Sequence, residues 1–455
     1  MVAAEAAGCL LTYEVFEAAA IAGQLSSCQW LFESACPTCP DGSGGRSGLL
    51  AAAASGGHQH VCEWLLTLAL TWSTCGDAEA AGGGHVGLME WLRERRSQLR
   101  VLNFLPDEEQ RLRLLEGSAR GCDLPTLQRL WQQQCGNQLG RNEKARVLAA
   151  ATGADGVSTP SEPDWALKVE WLWSQGCRPT RLVVEAAASC SDASRRLAWL
   201  RGRGFSVGEA AVTAAARTGN LEALTYLLAE AVVHPCSDGF AAGRAAAGVG
   251  QLLALQALYG AGWPLDDPYI GHAAARGGHL HVLVWLGETL GAGAVPRSTF
   301  LFAVATTSGS VELLAWLRQR GCPWDHAAYK GAAESGCVMA LEWLAEHGCP
   351  MPGNGAPYVA ACLNGDLASA RCLRRLGCPW GPSGEVFYRV ATWGPLPMVR
   401  WLLEAGCPFD YEAELARAAL AARAGPQRIA DVLKLLCEHG GRGAAGASAA
   451  AAATS

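Results

Sequence analysis

Cysteine and histidine are the residues of this 455-residue chain whose spacing comes nearest to chemistry. Cys36-Pro-Thr-Cys39 is its one Cys-x-x-Cys pair, and a zinc or redox centre needs a second pair at matching spacing or a strand-helix-strand setting. Neither is present. The recurring Cys177, Cys322, Cys349, Cys378 and Cys407 would lie about 10 Å apart in stacked helices, too far to share one ion, and read as small buried hydrophobes. His58-Gln59-His60 and His279-Leu280-His281 hold histidines two apart, which do not face each other on a helix. A structural role is expected for both pairs. Gly82-Gly83-Gly84 lacks the Lys-Ser or Lys-Thr that a phosphate loop requires. No Gly-x-Ser-x-Gly elbow occurs, and no Cys, His and acid set can be placed together. The expectation is a chain with no catalytic residue, no metal and no cofactor, and no small-molecule substrate.

Composition bounds the partners. Against 42 acidic residues stand 36 basic ones, a net charge of −6, so no global field draws the protein to nucleic acid or anionic lipid. All but four of the basic residues are Arg (the Lys are 144, 168, 330 and 434), a bias that fits a GC-rich coding sequence. Three Ile beside 54 Gly are a poor supply for strands. No apolar stretch is long enough to span a bilayer, and Met1 to Leu11 carries Glu5 and no Arg or Lys, unlike a secretory or transit leader. The expected location is cytoplasmic, the nucleus being compatible, with the 19 Cys as reduced thiols.

A frame repeats along the chain. Ala332-Ala333-Glu334-Ser335-Gly336 is followed by Trp343-Leu344 and then Gly348-Cys349-Pro350. The Trp position recurs at 30, 64, 91, 131, 171, 199, 226, 257, 285, 316, 343, 372, 401 and 435, giving fourteen units. A period of about 31 residues signals a solenoid or array. In Val311 to Arg320 the apolar residues Val311, Leu314 and Leu317 line one face at helical spacing, Gly321 can close the helix, and Pro323 prevents its continuation. Each unit reads as helix, tight turn and antiparallel helix, with one Trp cemented between consecutive layers.

The paired Ala, the Gly turn followed by His, and the Trp-Leu and Gly-Cys endings resemble the ankyrin repeat. Gly271-His272-Ala273-Ala274-Ala275-Arg276-Gly277-Gly278-His279 is the nearest stretch. The Thr-Pro-Leu-His opening is missing, and spacings of 27 to 29 residues leave room only for stubs where the family has β-hairpin fingers. The resemblance implies an all-α, ankyrin-like solenoid of stacked helix-turn-helix repeats with shortened fingers. Its parts would be an N-terminal cap and three repeats over 1–91, irregular repeats with insertions over 92–165, a regular array over 166–440 and a disordered Ala/Gly tail over 441–455. It implies a protein-protein interaction scaffold that holds a protein partner on its concave face, with no nucleic acid and no membrane bound. Trp263, Trp324 and Trp380, beside the prolines at the finger bases, are the candidate partner-binding residues. The alternatives are a substrate-recruiting adaptor for a modifying enzyme such as a ubiquitin ligase and, from another class, an enzyme with its site in 92–165.

Overall fold

The structure, a computed structural model, describes residues 12–34, 36–39, 46–68, 70–96, 107–134, 136–153, 165–229, 240–291, 293–382, 384–409, 431–432 and 434–436. The 441–455 segment lies outside these. The described residues form a helical-repeat, solenoid-like fold: thirteen α-hairpins run from Tyr13–Ile21 with Leu25–Glu33 to Glu385–Trp393 with Leu396–Glu404. The fourteenth unit is represented by 431–432 and 434–436, where Val432, Leu435 and Leu436 are buried. The strands among the described residues are Arg46–Ser47 and Thr71–Trp72, a short parallel pair in the segments that lead into the helices Leu49–Ser55 and Asp77–Gly82. Contacts divide the chain into two compact units, 1–246 with 253–263, and 247–252 with 264–455.

Local chemistry sets each boundary. Ser298 and Ser310 accept hydrogen bonds from Leu301 N and Leu313 N at 3.0 and 3.3 Å, and Asp366 accepts one from Ser369 N at 3.0 Å. Each satisfies an N-terminal amide that has no partner inside its helix. At the other end Gly321 and Gly348 adopt φ of 74° and 75°. The next amides, of Cys322 and Cys349, donate back to Leu317 O and Leu344 O at 3.0 and 2.9 Å, the hydrogen bond of a left-handed helix cap. The thiols pin the same ends: Cys36 Sγ donates to Thr12 O, Cys322 Sγ to Ser298 O and Cys349 Sγ to Asp325 O, at 3.2 to 3.4 Å. Each bond joins the end of a hairpin to its beginning.

Inner helices pack on inner helices. In the first unit Tyr13–Ile21, Leu49–Ser55, Asp77–Gly82, Asp107–Gly121, Arg141–Thr152, Arg181–Ala188 and Glu209–Thr218 each touch the next. The second unit repeats the pattern from Pro268–Arg276 to Glu385–Trp393. Small residues permit this approach: a Cβ on Gly117 would sit 2.2 Å from Ala78 O, and one on Gly121 2.3 Å from Ala81 O. The 92–165 stretch contains one such hairpin, Asp107–Gly121 with Leu124–Gln133, and the inner helix Arg141–Thr152 of the next, the two inner helices being 15 and 12 residues long.

The indoles are not the mortar that the sequence suggests. Trp30, Trp64, Trp91, Trp171, Trp199, Trp285, Trp316 and Trp343 are half-buried, whereas the Leu that follows the Trp position is at most 2% exposed in twelve hairpins from Leu31 to Leu402. One face of the outer helix can point straight at the inner layer, and the branched Leu occupies it. The Trp shingles the outside, meeting its neighbours edge-on as in Phe32–Trp64 (6.1 Å) and Trp165–Trp199 (5.1 Å). Arg95, Arg203 and Arg320, each four residues on, lie 4.3 to 4.6 Å over Trp91, Trp199 and Trp316. Two Trp of the frame depart from this half-burial, Trp401 at 9% and Trp131 at 1% exposed, and Trp131 is the informative one. It is followed by Gln132 rather than Leu. The frame there sits two residues earlier, with Leu127 and Leu130 in the core positions and Arg129, paired with Glu90 at 2.6 Å, where the Trp would stand.

Leu317→Ala is expected to cost about 2–5 kcal/mol, the price of a buried cavity. Trp316→Ala should cost only about 1–2 kcal/mol, since half of that ring already meets water. Urea unfolding midpoints of the two variants test the order; a larger loss for Trp316→Ala would restore the indole to the core.

Candidate functional site

An α-helix leaves its last four carbonyls without intrahelical partners, so in inner helices of eight or nine residues about half the carbonyls need outside donors. The next layer supplies them. His58 Nε2 donates to Ile21 O at 2.9 Å and His60 Nε2 to Gly23 O at 3.0 Å. His279 and His281 do the same to Gly248 O and Gly250 O at 3.2 and 3.0 Å. Asn220 Nδ2 serves Ala188 O and Cys190 O at 3.3 and 2.6 Å. Lys168, 5% exposed, donates to Ala119 O and Cys122 O at 3.1 and 2.7 Å, and Arg196, 4% exposed, to Thr152 O. Lys168 and Arg196 stand three residues before the Trp, where Val61 and Val282 stand in other hairpins. Their charge suits the negative end of the helix dipole. Both histidine pairs thus have the structural role expected of them.

With the carbonyls and the core accounted for, the exposed face of the inner helices remains. In the first unit five consecutive inner helices each display one exposed arginine: Arg120, Arg141, Arg181, Arg217 and Arg244. Glu108 is the one acidic residue fully exposed on the described parts of those five helices. Among the described residues Arg120, Arg141 and Arg217 have no carboxylate within ion-pair distance. The preceding inner helices expose Glu14, Val15 and Ser55 instead. In the second unit the inner-helix face carries large rings, Tyr269 and Phe300 being 61% and 56% exposed.

The sequence-predicted residues lie elsewhere. Trp263 is 3% exposed and presents no ring to a partner. Trp324 is half-buried, edge-on to Phe302 at 5.5 Å and Trp343 at 6.0 Å, under the Arg318 guanidinium at 3.9 Å. Trp380 stacks on Tyr358 at 4.0 Å and meets Trp401 at 6.0 Å. All three serve packing within their surroundings, and the structure does not bring them together. The recurring cysteines are buried, and burial pushes Cys177 and Cys378 up to about 11 and Cys349 and Cys407 up to about 12. Thiols so far from ionisation are poor nucleophiles and poor metal ligands. Sequence reasoning missed the arginine series because an isolated Arg on an Ala-rich helix reads as ordinary solvated surface; its signal was recurrence, one per layer.

No family model matches the sequence, and no curated protein matches it. Among solved structures the chain is similar to the pentatricopeptide repeat protein PPR10 from maize, at 13% identity over 92% of this chain and 68% of that one, with a TM-score of 0.25. It is also similar to PPR10 in complex with an 18-nt psaJ RNA element, at 13% identity over 94% and 79% of the two chains, with a TM-score of 0.28. A triple Cys-to-Ser form of that complex gives the same values. These neighbours are pentatricopeptide rather than ankyrin proteins, and two of the three structures hold RNA. The expectation of a scaffold for a protein partner, with nucleic acid excluded, is corrected on this finding. The physical flaw in the exclusion is that a net charge of −6 averages over every surface, whereas a ligand meets one face. Among the described residues no helix is long and apolar enough to cross a membrane.

Burial is the largest influence on His272 and His279 and holds both below the ordinary imidazole value. A folded-state pKa below the unfolded one gives stability that is complete above the unfolded value of about 6.5 and is lost as pH falls through the folded value. Urea should therefore unfold the protein more readily at pH about 5.5 than at about 7.5. The His272→Gln/His279→Gln double variant should narrow that difference; an unchanged difference would remove these two imidazoles from the account.

Proposed function

We propose that this chain is a non-catalytic helical-repeat protein, of divergent ankyrin type with stub fingers, that binds single-stranded nucleic acid along the inner-helix face of its first unit. The observation that carries the reading is the run of five consecutive layers, each presenting an exposed arginine from Arg120 to Arg244, with Glu108 as the one exposed acid on the described parts of those helices. Stacked helices lie about 10 Å apart, so such a run offers a flexible strand one cation per layer, at the helix start for Arg141 and Arg181 and near the helix end for Arg120 and Arg217. Arginine suits it better than lysine, because its planar fork grips a phosphate through two parallel hydrogen bonds and is only weakly hydrated. The ankyrin-type assignment is supported by the paired Ala of the inner helices, the glycine turns, and outer helices that close on Gly-Cys-Pro. The non-catalytic reading is supported by how the titratable groups are spent: histidines, Lys168 and Arg196 cap helices, and the thiols are buried. Such thiols suit a reducing compartment, the cytoplasm or the nucleus.

Five phosphate contacts at about 0.7 counterions each give a logarithmic salt dependence of about −3.5 for single strands. Fluorescence anisotropy with a labelled single-stranded RNA, titrated over a range of salt, should show this slope. The Arg120→Ala/Arg181→Ala/Arg217→Ala variant should bind more weakly and lose about two units of the slope. No binding at about 50 mM salt, where phosphate contacts are strong, or a slope untouched by the triple substitution, would overturn the proposal.

A further inference from the structure

Tyr269 and Phe300 stand at the same place in consecutive repeats, nine residues before the hairpin glycines Gly278 and Gly309. The next two repeats have Ala327 and Ala356 there, so the ring is peculiar to two layers. Both rings are more than half exposed, at 61% and 56%, although large aromatics are ordinarily covered. Between them lies His272, whose ring centroid is 5.6 Å from that of Tyr269 and 5.0 Å from that of Phe300. Its Nδ1 and Nε2 are shielded from solvent, on the side of the Pro268 backbone one turn earlier. Arg276, exposed and one helical turn beyond His272, places a cation beside the rings.

We infer that Tyr269 and Phe300, with His272 wedged between them, form a nucleobase-stacking site, in which a base of the bound strand lies on the exposed rings and leaves its phosphate to Arg276. Stacking on aromatic side chains requires only a π face and so tolerates any base. This inference rests on the proposal that the chain binds single-stranded nucleic acid, and it adds base stacking as a second class of contact.

The test uses the full-length protein and a single-stranded RNA containing 2-aminopurine, whose fluorescence falls on stacking. Wild type is expected to quench the probe on binding. Tyr269→Leu/Phe300→Leu should bind about tenfold more weakly or worse, lose the quenching, and keep the salt slope of the wild type. Tyr269→Phe should retain both affinity and quenching. Circular dichroism checks that the Leu variant is folded, as substitution of two exposed rings should leave it. If wild type binds with the expected slope but the Leu variant matches it in affinity and quenching, the rings only pack on each other and the inference falls while the phosphate reading stands. If wild type does not bind the strand at all, both fall together.

Discussion

The carbonyl row at the end of each short inner helix is the constraint on which the rest of the structure depends. A helix such as Ala327–Glu334 has eight residues, and with four carbonyls orphaned it is nearly as much end as middle. A long helix can leave its terminus to water, but these termini pack against another layer and must be met by donors from it. Asn364 Nδ2 therefore reaches Glu334 O at 3.1 Å, as His58, Lys168, Arg196, Asn220 and His279 reach theirs. Hydrogen bonds in such half-dry sites contribute about 1 kcal/mol each when made and cost more when broken, so the layers are held in register by polar contacts as much as by apolar ones.

The division of labour among side chains follows. Leu fills the seam between inner and outer helices, Ala and Gly let the inner helices approach, and polar donors close the helix ends. Trp and Arg are then free to work on the outside, where a half-exposed indole covered by a guanidinium gains from both packing and charge. The inner-helix face is left with few structural duties. That is why arginines and rings exposed there stand out: nothing in the packing explains Arg120 or Arg217, and Tyr269 stays 61% exposed beside His272, whereas Trp324 and Trp380 are accounted for by their neighbours.

Much of the fold was legible in the sequence, because helical spacing, glycine stops and the Trp-Leu pair recur in register. The position of Trp131 was misread for a physical reason: the frame was anchored on the indole, whereas the buried Leu carries the constraint, and Gln132 in place of Leu was the sign of the two-residue shift. The caps were half legible. His58 and His279 announce themselves after a glycine, but Lys168, Arg196 and Asn220 perform the same task, and a role defined by donating a hydrogen bond has no single residue type. Least legible was the candidate face. Charge summed over the chain hid a local series, and Tyr269 and Phe300 are a whole repeat apart in sequence though His272 links their rings in space.

Because each cap is donated by a later layer to an earlier one, the stack has a direction. For the carbonyls at the end of its inner helix a hairpin leans on its successor. Trimming whole hairpins from the front strands donors such as His58, which water can satisfy; trimming from the back bares a row of carbonyls against an apolar flank. An array built this way should fray like a cord from its trailing end and should evolve new length more readily at its leading one.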